Sequence, residues 1–300
     1  MLIPVIIGVT FLVYFILGLT PGDPATLITG GEADAETVAR VRTELGLDKP
    51  IIVQYGRYMW DLLHGDMGQS WQTKKDVFES VANVIPNTLK LGLWSMVFCI
   101  VLSLPIGIIS ATKQYSALDN GCMVFALLGL ATPNFWLGLM LILAFSLNLG
   151  WFPSGGMNAG WRSLVLPVFT LGTSDMAFLT RMTRSSMLEV IRADYIRTAK
   201  AKGVSSKIVT RKHALKNALI PIVTAMGLQF GGMLGGAMLT ETVFSWPGIG
   251  RLMVDSIKSK DTPLVMGCVI TITIGVSIIN LIVDVLYGFI DPRIKAQYKK

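Results

Sequence analysis

An all-α integral membrane protein with six transmembrane helices is the fold class this sequence predicts. Three observations predict it. The 300 residues are 52% hydrophobic and only 15% charged, with a mean hydropathy of +0.59, whereas soluble domains carry about a quarter charged residues. The apolar residues gather in runs long enough to cross a bilayer, which takes ~20 residues as helix. The lysines and arginines gather between those runs, above all in 181–216, where ten of them face two acids. Most of the +7 net charge lies in that loop and the C-terminal tail, so the basic balance points to membrane topology and lipid headgroups, not to nucleic acid.

The first span covers 1–20. It has no basic stretch before it and no small-x-small cleavage site before Pro21, so it reads as a retained helix and not a signal peptide. The missing basic stretch suggests a start a few residues upstream. The second span covers 85–112, with Lys90 its one charge. Asn120 to Trp161 is free of charge over 42 residues, too long for one helix. Its Gly-Trp-Phe-Pro-Ser-Gly-Gly run at 150–156 is turn chemistry, so the third span is set at 118–148. The fourth covers 164–184, the fifth 219–242 and the sixth 263–289. Pro105, Pro133 and Pro167 predict kinks, which membrane helices tolerate.

Six spans place both ends on one side, and basic residues mark the cytoplasmic side. Lys113, the ten in 181–216 and four in the 290–300 tail lie on one side. The opposite loops hold six in 21–84, one in 148–163 and three in 244–262, and 21–84 also carries ten acids. Both termini are therefore expected in the cytoplasm. The outer loop, 21–84, should hold helices of its own. Val38, Val41 and Leu45 have helical spacing between Asp34 as N-cap and Gly46 as stop. Ile51, Tyr55, Tyr58, Met59 and Leu62 repeat the pattern before Gly65. Such helices suit the membrane surface or a small outer cap.

Several chemistries lack their residues. There is no GxxxxGK[ST] for nucleotide, and no GxSxG or HExxH. His64 and His213 stand alone, and Cys99, Cys122 and Cys268 sit inside apolar runs as small packing residues, so neither a metal site nor a disulfide framework is expected. No catalytic residue is assigned. The carboxylates in or near spans, Asp175, Glu241 and Asp284, form no evident dyad. Asp175, mid-span, is costly at membrane depth and should face a polar pathway or a partner helix. Asn134 and Gln229 join it as candidate pathway-lining residues. Span five carries Gly227, Gly231, Gly232, Gly235 and Gly236. Their small-xxx-small spacing suits close helix approach, with Gly227, Gly231 and Gly235 as packing positions.

The loop 185–218 is more than a connector. Asp194 to Lys202 favours helix, Gly203 is a stop, and a second helix can begin after Ser205 or Ser206. A short helix, a glycine turn and a second helix make a shape that can sit in a groove of a soluble partner. Tyr195-Ile196-Arg197-Thr198-Ala199-Lys200-Ala201-Lys202-Gly203, continuing to Ile220-Pro221, resembles the Glu-Ala-Ala coupling loop of ABC importer permeases. The match departs from the general pattern in lacking the Glu and in the longer distance to Pro221, as in the dipeptide/oligopeptide/nickel branch. Pro21-Gly22-Asp23-Pro24, Ile85-Pro86-Asn87-Thr88-Leu89, Thr132-Pro133-Asn134-Phe135-Trp136 and Phe152-Pro153-Ser154-Gly155-Gly156 agree with that branch. So do Phe244-Ser245-Trp246-Pro247-Gly248-Ile249-Gly250-Arg251 and Asp291-Pro292-Arg293. The long outer loop is similar to that of the branch's first permease subunit.

The resemblance implies a type I ABC importer permease in a bacterial or archaeal cytoplasmic membrane. A sister permease would complete a heterodimer. Two ATP-binding subunits would dock inside, and an extracytoplasmic binding protein would deliver substrate. ATP and Mg would be bound by the ATPases and not by this chain. Tyr195, Arg197, Thr198, Ala199, Lys202 and Gly203 would then form the ATPase-coupling loop, with Ala199 a small contact surface. Di- and oligopeptides are the expected cargo, with nickel chelates or glutathione as alternatives. A secondary transporter driven by an ion gradient is the competing class, and uptake by this chain alone would reveal it.

Overall fold

The computed structural model describes residues 2–30 and 33–290. The tail 291–300, with its Asp-Pro-Arg motif and basic residues, lies outside the described residues, as do the surroundings of residues 2, 236, 284 and 286–290 within their helices. The described chain is helical, with α1 (Leu2–Leu19), α2 (Pro24–Thr29), α3 (Ala35–Glu44), α4 (Ile51–Leu63) and α5 (Val77–Thr112). Then come α6 (Ala117–Ala131), α7 (Asn134–Leu141) running into π-helical turns at Ile142–Asn148, and α8 (Arg162–Ile191). The short helices α9 (Asp194–Ala201) and α10 (Ser206–Ile208), with π turns at Val209–Ala214, lead into α11 (Leu215–Val243), α12 (Ile249–Lys258) and α13 (Thr262–Ile290).

Among the described residues, α5, α8, a stretch over Ser206–Gly235 and Thr262–Val283 of α13 are each long and apolar enough to cross a bilayer. The α1 helix is shorter, and its 18 residues reach ~27 Å at 1.5 Å per residue. The expected third span, 118–148, is made of two helices bent by 101° at Thr132-Pro133. The cause is local. Thr132 takes extended backbone (ψ 120°) ahead of Pro133, the conformation that a following proline ring enforces. Pro167 sits inside α8 without breaking it. It lies near the start of that helix, where few backbone bonds are lost.

The chain divides into two compact units. One is Met1–Leu89 with Ser245–Gly275, and the other is Lys90–Phe244 with Val276–Lys300. In the first, Val77, Val81, Ile249, Leu264 and Cys268 form a buried cluster. Its irregular segments are fastened by polar groups. Asp23 caps α2 through the Ala25 amide (3.2 Å) with Pro24 in the first turn. Lys260 Nζ donates to the carbonyls of Thr20 (3.0 Å), Pro21 and Gly22 (2.7 Å). Asp261, 1% exposed, accepts from the Ser70 hydroxyl and the Trp71 amide (3.1 Å).

In the second unit, Met96, Cys99, Leu179, Met187, Ile196, Ala214 and Ile222 belong to one buried cluster. Glycine lets its helices close. A Cβ on Gly227 would fall 2.2 Å from Val283 Cγ1, and one on Gly231 3.1 Å from Asn280 Oδ1, so both face α13 as packing positions. Gly235 differs from its expected role. Among the described residues nothing lies within 4 Å of a Cβ built there, because the i+8 drift along α11 turns it out to an exposed face.

Candidate functional site

The loop that carries α9 is held from beneath and open above. Ile196 is fully buried among residues that include Ala111, Met187, Val209 and Ala214, with Ala199 packed against the same cluster. The i, i+3 pair Ile196 and Ala199 is thus the inward face of α9. Ala199, expected as a contact surface for a partner, is half-buried against its own chain. Tyr195 (45% exposed), Arg197, Thr198, Lys200 and Lys202 point outward. Their bonds are local. The Thr198 hydroxyl donates to Asp194 O (3.1 Å), Arg197 lies 3.8 Å from Asp194, and Asn217 Nδ2 donates to the Tyr195 hydroxyl (3.0 Å).

Gly203 ends the helix. Its φ of +79° is left-handed, a region that β-carbon-bearing residues enter at a cost of ~1–2 kcal/mol. Its amide donates to Lys200 O (2.9 Å), and the Val204 amide donates to Ala199 O (3.3 Å), closing the last carbonyls of α9. Among the described residues nothing lies within 4 Å of where its Cβ would stand. Within the chain the backbone angle favours glycine, and the space outside it is open.

The three polar residues singled out within the spans converge on one turn of α8. Gln229 Nε2 on α11 donates to Asp175 Oδ1 at 2.5 Å. One residue earlier, the Ser174 hydroxyl donates to Asn134 Oδ1 at 2.7 Å. Asn134 opens α7, directly after the bend at Pro133. The half-buried pair Ser174–Asp175 therefore joins α7, α8 and α11 through polar side chains at membrane depth, where such groups are costly and seek one another. Ser174 was not apparent from the sequence, since a lone serine in an apolar helix carries no signal of its own. Glu241 is fully buried. Among the described residues no group of three His, Cys, Asp or Glu is arranged to hold a metal ion.

The motifs outside the loop bind one another. In the first unit the indole of Trp246 donates to Asn87 O (3.0 Å), Asn87 Nδ2 donates to Pro247 O (2.8 Å), and the Ile249 amide donates to Thr88 Oγ1 (2.8 Å). The Pro-Asn-Thr and Ser-Trp-Pro-Gly-Ile segments are thus two sides of one joint. In the second unit the Gly156 amide donates to Phe244 O (2.8 Å).

Two family models match the chain. The binding-protein-dependent transport system inner membrane component covers residues 103–296, and the N-terminal model of such membrane components covers 1–92. The dipeptide transport system permease protein DppB of Alkalihalophilus pseudofirmus is 44% identical, over 98% of this chain and 97% of that protein. The glutathione transport system permease protein GsiC of Salmonella paratyphi A is 45% identical, over 98% and 96%. In fold, the chain is similar to the inward-facing MetNI methionine ABC transporter, with a TM-score of 0.60 at 20% identity over 71% of this chain and 96% of that one. The chain belongs to the inner-membrane component family of binding-protein-dependent transport systems, as a multi-pass ABC importer permease of the dipeptide/oligopeptide kind.

Proposed function

We propose that this chain is one of two unlike permease subunits of an importer that moves di- and oligopeptides, driven by ATP hydrolysed in two partner subunits. The observation that carries the reading is α9, a helix with Ile196 fixed in the core and an exposed outer face on which Arg197 pairs only with the neighbouring Asp194. Supporting it for the cargo is the 44% identity to a dipeptide permease. The 45% identity to a glutathione permease favours a second reading with glutathione, itself a short peptide, as cargo. Both termini lie in the cytoplasm on this reading, as the distribution of basic residues requires. An external binding protein delivers substrate, and ATP and Mg are held by the ATPases.

The mechanism is alternating access. ATP closes the ATPases, and α9 carries that movement to α8 and α11 through the cluster around Ile196. The permease pair then opens outward to receive substrate, and hydrolysis returns it inward. Each state is favoured by the ligand that binds it better. Asp175, with Gln229, lines the path and favours cationic groups of the cargo. The test is uptake into vesicles by the whole assembly, with ATP inside and labelled dipeptide, longer peptide, glutathione or a nickel chelate outside. ATP-dependent peptide uptake is expected. Uptake of glutathione alone would select the second reading, and uptake by this chain alone on an ion gradient would overturn both.

A further inference from the structure

A second set of residues, apart from the coupling loop, joins that loop to the rest of its unit. Asp119, in the first turn of α6, is 1% exposed. Its carboxylate accepts two bonds from one guanidinium of α8, from Arg184 Nε at 2.7 Å and Nη2 at 2.8 Å. It also accepts from the Ser110 hydroxyl of α5 and from the Tyr115 amide (2.9 Å) in the turn between α5 and α6. Tyr115 holds a left-handed φ of 63°, which a residue bearing a Cβ keeps only when its surroundings impose it. One carboxylate thus ties together α5, the turn and α8.

A second tie runs in parallel. Arg192, the residue that ends α8, donates to Gln114 Oε1 of the same turn (3.4 Å). Above the clasp the α5 and α8 backbones are in close contact. A Cβ on Gly107 would lie 2.6 Å from Thr183 Cβ and 2.9 Å from Thr180 O. Only Ala193 separates Arg192 from α9. Any displacement of α9 therefore reaches the end of α8, and the end of α8 is bound to α6 and to the turn that follows α5.

We infer that Asp119 and Arg184 are positioning residues that make the cytoplasmic ends of α5, α6 and α8 move as one body with the coupling helix. A bidentate arginine–carboxylate pair with its acid buried and its arginine half-buried suits this task. It fixes distance and angle together, and separating it would strand a charge, so a moving element carries the pair along intact. The inference rests on the coupling reading above.

The test uses the complete assembly in vesicles, measuring import, ATP hydrolysis and the amount of assembled complex. Asp119→Asn keeps the shape and two of the donors but loses the charge. It is expected to assemble and hydrolyse ATP, while import per ATP falls on the order of tenfold, the range over which residues along a coupling path act. Arg184→Lys, which keeps one charged bond, is expected to lie between. A second measurement does not depend on those variants folding. In a Cys122→Ser background, Gln114→Cys and Arg192→Cys are joined by a thiol cross-linker. Import should persist after cross-linking, because the two sites travel together.

Loss of import on cross-linking, or an unchanged import-to-ATP ratio in assembled Asp119→Asn, would overturn the inference while leaving the coupling loop in place. If the wild-type assembly showed no ATP-driven uptake, the coupling reading would fall, and this inference with it.

Discussion

The segment from Ser245 to Thr262 and the segment from Asp194 to Ala214 both lie between long apolar helices, yet they spend their polar side chains in opposite ways. In the first, Lys260 and Asp261 turn inward to backbone and side chains some 190 to 240 positions away in sequence. In the second, Arg197, Lys200 and Lys202 remain outside, and the bonds of α9 link residues at most 22 apart. A charge whose bonds are all satisfied within the chain fastens it. A charge left at the surface is available to something else. The contrast separates a region built to hold its shape from one that, on the proposed reading, meets a partner.

Gly203→Asp is the strongest way to break that contrast. The open space at Gly203 means that the new side chain disturbs no neighbour in this chain, and aspartate tolerates a left-handed φ better than most residues. Insertion and abundance should be unchanged, while ATP-driven uptake falls to background because an acidic group now projects into a basic docking face. Normal uptake by this variant would remove the coupling role from the loop.

The fastened region should fail differently. Asp261→Ala strips acceptors from the Ser70 hydroxyl and the Trp71 amide, and also from the Leu264 amide (3.4 Å) at the start of α13. Losing hydrogen bonds to a buried charge costs about 3 kcal/mol. The purified variant should unfold at a lower temperature, and protease should cut its 66–76 segment sooner. A variant as stable as wild type would mean that the inward charge is not a fastening. Asp175→Asn should do neither. The amide can still accept from Gln229 Nε2, so stability holds. Cargo rate or preference should shift severalfold, as for loss of one favourable charge interaction, read as kcat and KM for cationic against neutral peptides. Identical kinetics for both would reduce Asp175 to a packing residue.

The same contrast explains what could be read from the sequence. The helical membrane fold was legible because hydropathy and helical spacing are local. Ile51, Tyr55, Tyr58 and Leu62 announce α4 by their period, and Tyr55 does face α1, its hydroxyl donating to Ile7 O (3.1 Å). Asp175, Asn134 and Gln229 could be named singly as polar residues in apolar spans. Their gathering on Ser174 and Asp175 could not, since it depends on how three helices are rotated. Asp119 gave no sign at all. An acid two residues into a helix reads as a favourable partner for the helix dipole, and nothing local shows that Arg184, 65 positions on, closes over it. Nor could three prolines be told apart by type. Pro133 breaks its span while α5 and α8 continue through Pro105 and Pro167.

The smallest test lies at the edge of the fastened region, where Asp23 meets Arg42 at 2.8 Å. Partial burial opposes ionisation of Asp23, but the Arg42 guanidinium, the Ala25 amide and the Thr26 hydroxyl outweigh it and hold its carboxyl below the usual range. A carboxyl depressed in the folded state stabilises it above the unfolded-state value of ~3.9, and that contribution is lost as pH falls through the folded value. Arg42→Ala should therefore lower thermal stability at neutral pH and converge with wild type in acid below that window. With the arginine side chain 52% exposed, solvent screening keeps the difference at or under ~1 kcal/mol. A gap that persists undiminished in strong acid would show that Arg42 acts through packing of its stem and not through its charge. Asp23 would then join the fastened region as a helix cap alone.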